Sequence, residues 1–131
     1  MKQIKRLKRK KTSLFLAAAV LSLGILSGCG GESKEAKEAR MTGIEQLNAG
    51  NYQDAIDSFG KALDESDGIV NSFELDVLKY RGEAEYKLAD YKAAAQTYGI
   101  LAEVDGGKAE YLYYKAASEA AAGQAEDAEK D

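Results

Sequence analysis

The chain has 131 residues with no His, Pro or Trp and a single Cys, and its 18 basic and 22 acidic side chains give a formal net charge of −4. One cysteine excludes an internal disulfide framework and a multi-thiolate metal site. Without His it also lacks the commonest metal ligand and the side chain best suited to acid–base work near neutral pH.

The charge is unevenly spread. Residues 1–28 hold seven basic and no acidic side chains, which leaves 11 basic and 22 acidic residues beyond them. A body that acidic is poorly suited to nucleic acid, whose phosphates need clustered Lys and Arg, and it is repelled by anionic lipid headgroups.

The first element is the basic run at residues 2–11, followed by an apolar stretch of 13 residues from Leu14 to Leu26. That stretch is too short to cross a hydrocarbon core of roughly 30 Å comfortably as a helix. A basic segment followed by a short apolar one that ends in small residues has the anatomy of a secretory signal peptide. It ends in Leu26-Ser27-Gly28-Cys29. These four residues, at this position, resemble the lipobox of bacterial lipoproteins. The resemblance implies a diacylglyceryl group in thioether linkage on Cys29 and cleavage between Gly28 and Cys29. It makes 1–28 a cleaved signal peptide and 29–35 the lipidated Cys and a flexible tether. Two acyl chains anchor stably where one binds marginally, at about 0.8 kcal/mol per buried CH₂. The implied location is the extracytoplasmic face of a bacterial membrane. No Asp follows Cys29, which points to the outer membrane if the host has two.

Beyond the tether, a composition rich in Ala, Glu, Lys, Leu and Tyr favours helix. Apolar residues recur at helical spacing, as in Leu75, Leu78, Gly82 and Tyr86. The pattern predicts first helices over about 34–49, 73–88 and 109–122, and second helices over 52–65 and 91–104. Asn51 and Asp90 stand at N-cap positions, and Asn71 with Glu74 three later fits a capping box. Asp67-Gly68 and Asp105-Gly106-Gly107 are the helix breakers.

The helical region repeats itself. Asn51-Tyr52-Gln53-Asp54-Ala55 aligns with Asp90-Tyr91-Lys92-Ala93-Ala94, and a third copy begins at Ala121-Ala122-Gly123. The expected tight-turn positions Gly50, Ala89 and Gly123 are spaced by 39 and then 34 residues, and Gly43, Gly82 and Ala116 keep the same spacing. This period, with Tyr52 and Tyr91 opening the second helices and Phe59 and Tyr98 seven residues on, resembles the tetratricopeptide repeat. The resemblance implies an all-α, helix–turn–helix solenoid of two to three units across 36–131: 36–69, 75–108 and an incomplete 109–131. Small residues would let paired helices approach, while aromatics fill the wedge between units. The usual closing Pro is absent, and Leu101 takes a position where a small residue is usual. Residues after Gly123 are few for a second helix, so either helix 109–122 caps the array or the chain is a fragment of a longer protein, the preferred reading.

Motifs for chemistry are weak. Ser58-Phe59-Gly60-Lys61 has the Ser-x-x-Lys spacing of penicillin-recognising enzymes but falls inside a repeat helix without the accompanying motifs. Asp64-Glu65-Ser66-Asp67-Gly68 lacks the alternating oxygen ligands of a calcium loop. The expectation is no enzyme, no metal site and no cofactor other than the covalent lipid, with a protein or peptide as partner and no nucleic acid.

In tetratricopeptide proteins the concave face is built from first helices and commonly holds an extended peptide or partner helix. The residues this places there are Asp76, Lys79, Glu83, Tyr86 and Lys87 in unit two, and Glu110 and Tyr113 in unit three. The expected function is a membrane-anchored, non-catalytic adaptor. The alternative is a structural accessory subunit of an envelope assembly or secretion complex.

Overall fold

The computed structural model describes residues 32–66 and 70–130. The expected signal peptide, the expected Gly28–Cys29 cleavage and Cys29 lipid attachment, and the Asp67-Gly68 breaker lie outside those residues. Five helices follow one another: α1 (Lys34–Asn48), α2 (Tyr52–Asp64), α3 (Ser72–Lys87), α4 (Tyr91–Val104) and α5 (Ala109–Lys130). Each packs on the next, and no strand occurs among the described residues. The fold class is all-α, as the periodicity predicts. No helix among the described residues is long and apolar enough to cross a membrane.

Side chains start most of these helices by satisfying orphan N–H groups. The Ser33 hydroxyl accepts from the Ala36 N–H at 3.0 Å and donates to the Glu65 carbonyl at 3.1 Å, tying the start of α1 to the end of α2. Asn71 Oδ1 accepts from the N–H groups of Phe73 and Glu74 at 2.8 and 3.3 Å, and Asp90 Oδ1 from Ala93 at 3.3 Å. Two expected caps differ. Asn51 precedes α2 but its side chain makes no capping bond. Glu74 does not complete a capping box; it is 6% exposed, and its carboxylate accepts from the Ser66 hydroxyl at 2.5 Å. Burial against the end of α2 turns that side chain away from its own helix start.

The turns after α1 and α3 are copies of one another. Gly50 and Ala89 take left-handed backbone at φ 81° and 64°. In the first turn the Asn51 N–H bonds back to the Gln46 carbonyl, and in the second Asp90 bonds to Glu85, both at 2.9 Å. Left-handed backbone is free for Gly but costs about 1 kcal/mol at Ala89, which the packing of α4 onto α3 must offset.

The third expected turn does not form. Helix α5 runs straight through Gly123 to Lys130. Residues 124–130 (Gln-Ala-Glu-Asp-Ala-Glu-Lys) carry no large apolar side chain, so folding them back would bury little against the strain of a turn. Their helix propensity instead extends α5. The Lys92 ammonium meets the Glu126 carboxylate at 2.5 Å and lays that extension along the start of α4.

The core is made in two clusters. Phe59 lies at the centre of the first, with Ala39, Leu47, Ala55, Ala62, Val77 and Ala84. Tyr98, Leu101 and Tyr111 anchor the second, with Leu75 and Leu78 packed against it. Close helix approach explains the glycines. A Cβ on Gly43 would lie 2.6 Å from the Phe59 ring, and one on Gly82 would lie 3.0 Å from the Tyr98 ring. The two contacts occupy matching positions one repeat apart.

Candidate functional site

The period of the helices decides which side chains meet. On α3, Asp76, Lys79, Tyr80 and Glu83 fall at i, i+3, i+4 and i+7 and share one face. On α5, Glu110 and Tyr114 are four apart and do the same. Tyr98 of α4 fills the space beside Gly82, and its ring spans from the core to the surface between those faces. Together they line an open groove of about 410 Å³.

Two of its carboxylates are already matched. Asp76 Oδ2 is 2.5 Å from Arg40 Nη2 and also accepts from Arg40 Nε at 2.7 Å. Glu83 Oε1 is 2.8 Å from Lys87 Nζ, an i,i+4 pair on α3. The Tyr98 and Tyr114 rings stack with centroids 5.0 Å apart and planes 24° from parallel. Tyr98 is 6% exposed. Burial first, and then the neighbouring Glu83, Tyr114, Glu85 and Glu110, pushes its phenol well above the usual range. Three of those four neighbours are carboxylates.

Of the seven residues expected on this face, Asp76, Lys79, Glu83 and Glu110 are brought together in the groove. Tyr86, Lys87 and Tyr113 do not line it. The Tyr86 ring packs edge-on against Tyr91 at 5.2 Å, at the turn end of α3. Lys87 reaches the groove only through its pair with Glu83. Tyr113 is 69% exposed and touches Tyr114 edge-on at 5.5 Å, one position around the helix from the lining face.

Three lining residues were absent from the expected set: Tyr80, Tyr98 and Tyr114. Tyr80 and Tyr114 were legible, because each stands four residues after an expected acid, Asp76 and Glu110, and so shares its face. Tyr98 is expected in the core, and it is there, yet the edge of its ring also floors the groove.

Elsewhere, several polar groups have structural partners. The Ser58 hydroxyl of the Ser-x-x-Lys stretch donates to Gln46 Oε1 at 2.6 Å, joining α2 to α1. The Asp105 carboxyl is held below its ordinary range chiefly by its bond to Lys108, with Tyr111 donating a second bond and Lys79 adding its charge. No cluster of three or more His, Cys, Asp or Glu arranged to hold a metal occurs among the described residues.

No protein-family model, curated protein or solved structure matches this chain.

Proposed function

We propose that this protein is a membrane-anchored, non-catalytic adaptor that displays a tetratricopeptide-like groove at the extracytoplasmic face of a bacterial membrane. The observation that carries the reading is the groove itself, built from α3, α4 and α5 and lined by four of the residues expected to meet a partner. Support also comes from the repeat: two helix pairs with matching turns, matching Gly–aromatic contacts and a common 39-residue offset. Such modules stack so that one face of successive first helices forms a continuous binding surface. Tyr rings suit that task because they offer apolar area at low entropic cost, together with a hydroxyl.

The lipobox supplies the location. A diacylglyceryl group on Cys29 confines the groove to a thin layer at the membrane, so even a weak site gains from a high effective concentration.

Two measurements test the proposal in cells. Cys29→Ser should abolish lipid labelling and move the protein out of the membrane fraction; unchanged retention would remove the anchor from the reading. A photo-crosslinking residue at Tyr114 should capture partner protein, whereas one at Asp57, an exposed position of α2 outside the groove, should not. Equal capture at both positions rejects the groove. A single stoichiometric complex at Tyr114 indicates the assembly-subunit role instead of an adaptor with several partners.

A further inference from the structure

The two junctions between successive repeats are built from corresponding residues, but only the first is closed. There Phe59 and Tyr80 stack at 5.9 Å and 15°. The Arg40 guanidinium sits 5.7 Å from the centre of the Tyr80 ring and bonds to the Asp76 carboxylate. Shifting by the repeat spacing turns Phe59 into Tyr98, Tyr80 into Tyr114, Asp76 into Glu110 and Arg40 into Lys79. The stack is conserved between the two junctions, with Tyr98 on Tyr114 at 5.0 Å. The ion pair is not, since no bond joins Lys79 to Glu110. Lys79 stands on the wall of the groove, and part of its charge acts on Asp105. The space that Arg40 fills in the first junction is the open groove in the second.

The chemistry of that space is specific in sign. Glu110 presents a carboxylate and Tyr114 a ring, as Asp76 and Tyr80 do around Arg40. The floor adds the side chain of Tyr98. Glu83, Glu85 and Glu110 all make the potential there more negative. An anionic occupant would be repelled, and an apolar one would bury the Glu110 carboxylate unsatisfied. A planar cation suits Tyr114 and Glu110 together, because guanidinium stacks on an aromatic face while donating to a carboxylate.

We propose that the groove receives the arginine side chain of an extended partner segment, its guanidinium stacked on Tyr114 and bonded to Glu110 as Arg40 is on Tyr80 and Asp76. This rests on the adaptor reading and names its ligand chemistry. Lys79 brings a positive charge to the wall of the same groove, which opposes a cationic occupant and so sets how strongly the site selects.

The experiment uses the full lipidated chain in detergent and fluorescent peptides that are identical except for a central Arg, citrulline or Glu. Citrulline keeps the shape of Arg and removes its charge. The Arg peptide should bind about tenfold more tightly than the citrulline peptide, with the preference shrinking at high salt, and the Glu peptide should bind weakest. Glu110→Gln should erase the preference. Lys79→Met should increase it several-fold, a gain that a merely structural role for Lys79 would not produce. Equal binding of the Arg and citrulline peptides, a preference that survives Glu110→Gln, or weaker Arg binding in Lys79→Met overturns the proposal. Partner capture at Tyr114 in cells combined with equal binding of the two peptides rejects arginine and leaves the groove standing. Capture that does not depend on the groove position rejects the adaptor reading itself.

Discussion

The Glu85 carboxylate accepts a 2.7 Å hydrogen bond from the Thr97 hydroxyl across the α3–α4 interface, the counterpart one repeat later of the Gln46–Ser58 bond. Glu85 is 2% exposed, and its other oxygen takes a 2.8 Å bond from Arg81 at the surface edge. In the first helix pair a neutral amide does the same work at a half-buried site. The second pair uses a charge, which in a buried position depends on both donors.

Thr97→Val should therefore destabilise the fold by about 1–3 kcal/mol, since it leaves a buried carboxylate oxygen unpaired. Ser58→Ala at the corresponding site should cost only about 0.5–1.5 kcal/mol, because Gln46 is neutral and reaches solvent more easily. Urea unfolding followed by circular dichroism gives both values; an equal cost at the two sites would contradict this account.

The two helix-contact glycines should respond differently to Ala. At Gly82 the neighbouring Tyr98 atoms lie 3.0–3.3 Å from the added carbon, and small ring shifts can accommodate it. The gain of about 0.5–1 kcal/mol from replacing a mid-helix Gly then nearly cancels the strain. At Gly43 the contacts are 2.6–2.7 Å to a fully buried Phe59 ring, so α1 and α2 must move apart. Gly43→Ala should lose about 1–3 kcal/mol, the usual scale of overpacking, and Gly82→Ala less than 1 kcal/mol.

High pH should loosen the protein, and Tyr98 should contribute. Its folded pKa lies above the unfolded value of about 10, so the folded state holds the proton more tightly. That contribution is complete below about pH 10 and is lost as the pH climbs toward the folded value. Tyr111, raised by burial and its bond to Asp105, acts in the same direction. Thermal unfolding from pH 8 upward should show wild-type stability falling above about pH 10, and Tyr98→Phe should flatten that fall.

The closed and open repeat junctions should differ in a double-mutant cycle. Arg40→Gln with Asp76→Asn should show a coupling of about 0.5–1 kcal/mol, reduced by salt, since the pair is only partly exposed and guanidinium also packs on Tyr80. Lys79→Gln with Glu110→Gln should show coupling near zero. A coupling at the second pair as large as at the first would mean that the junction is closed in solution.

Much of this was legible in the chain itself. All five helix bodies follow from apolar periodicity and lie within a residue or two of expectation, except where α5 continues past Gly123. Spacing marked Gly43 and Gly82 as recurring positions, and the tetratricopeptide resemblance implied that they are where paired helices approach closely. Asn51 and Glu74 were less legible. Both carry the right residue type for a cap, but capping depends on where the side chain is drawn by its neighbours, and Glu74 is drawn to Ser66 across the seam.

What the sequence determined by itself is local and periodic: where each helix starts, the tight turns at Gly50 and Ala89, and the 39-residue offset that relates one helix pair to the next. Those properties depend on residues a few positions apart, and the pattern states them directly. Only the tertiary structure decided which of two corresponding junctions is shut. Arg40 and Lys79 occupy the same place in the repeat, as do Asp76 and Glu110, and no local rule separates them. The fork of Arg40 on α1 bonds its acid on α3, no such bond joins Lys79 to Glu110, and the second junction keeps a groove beside Tyr98 and Tyr114.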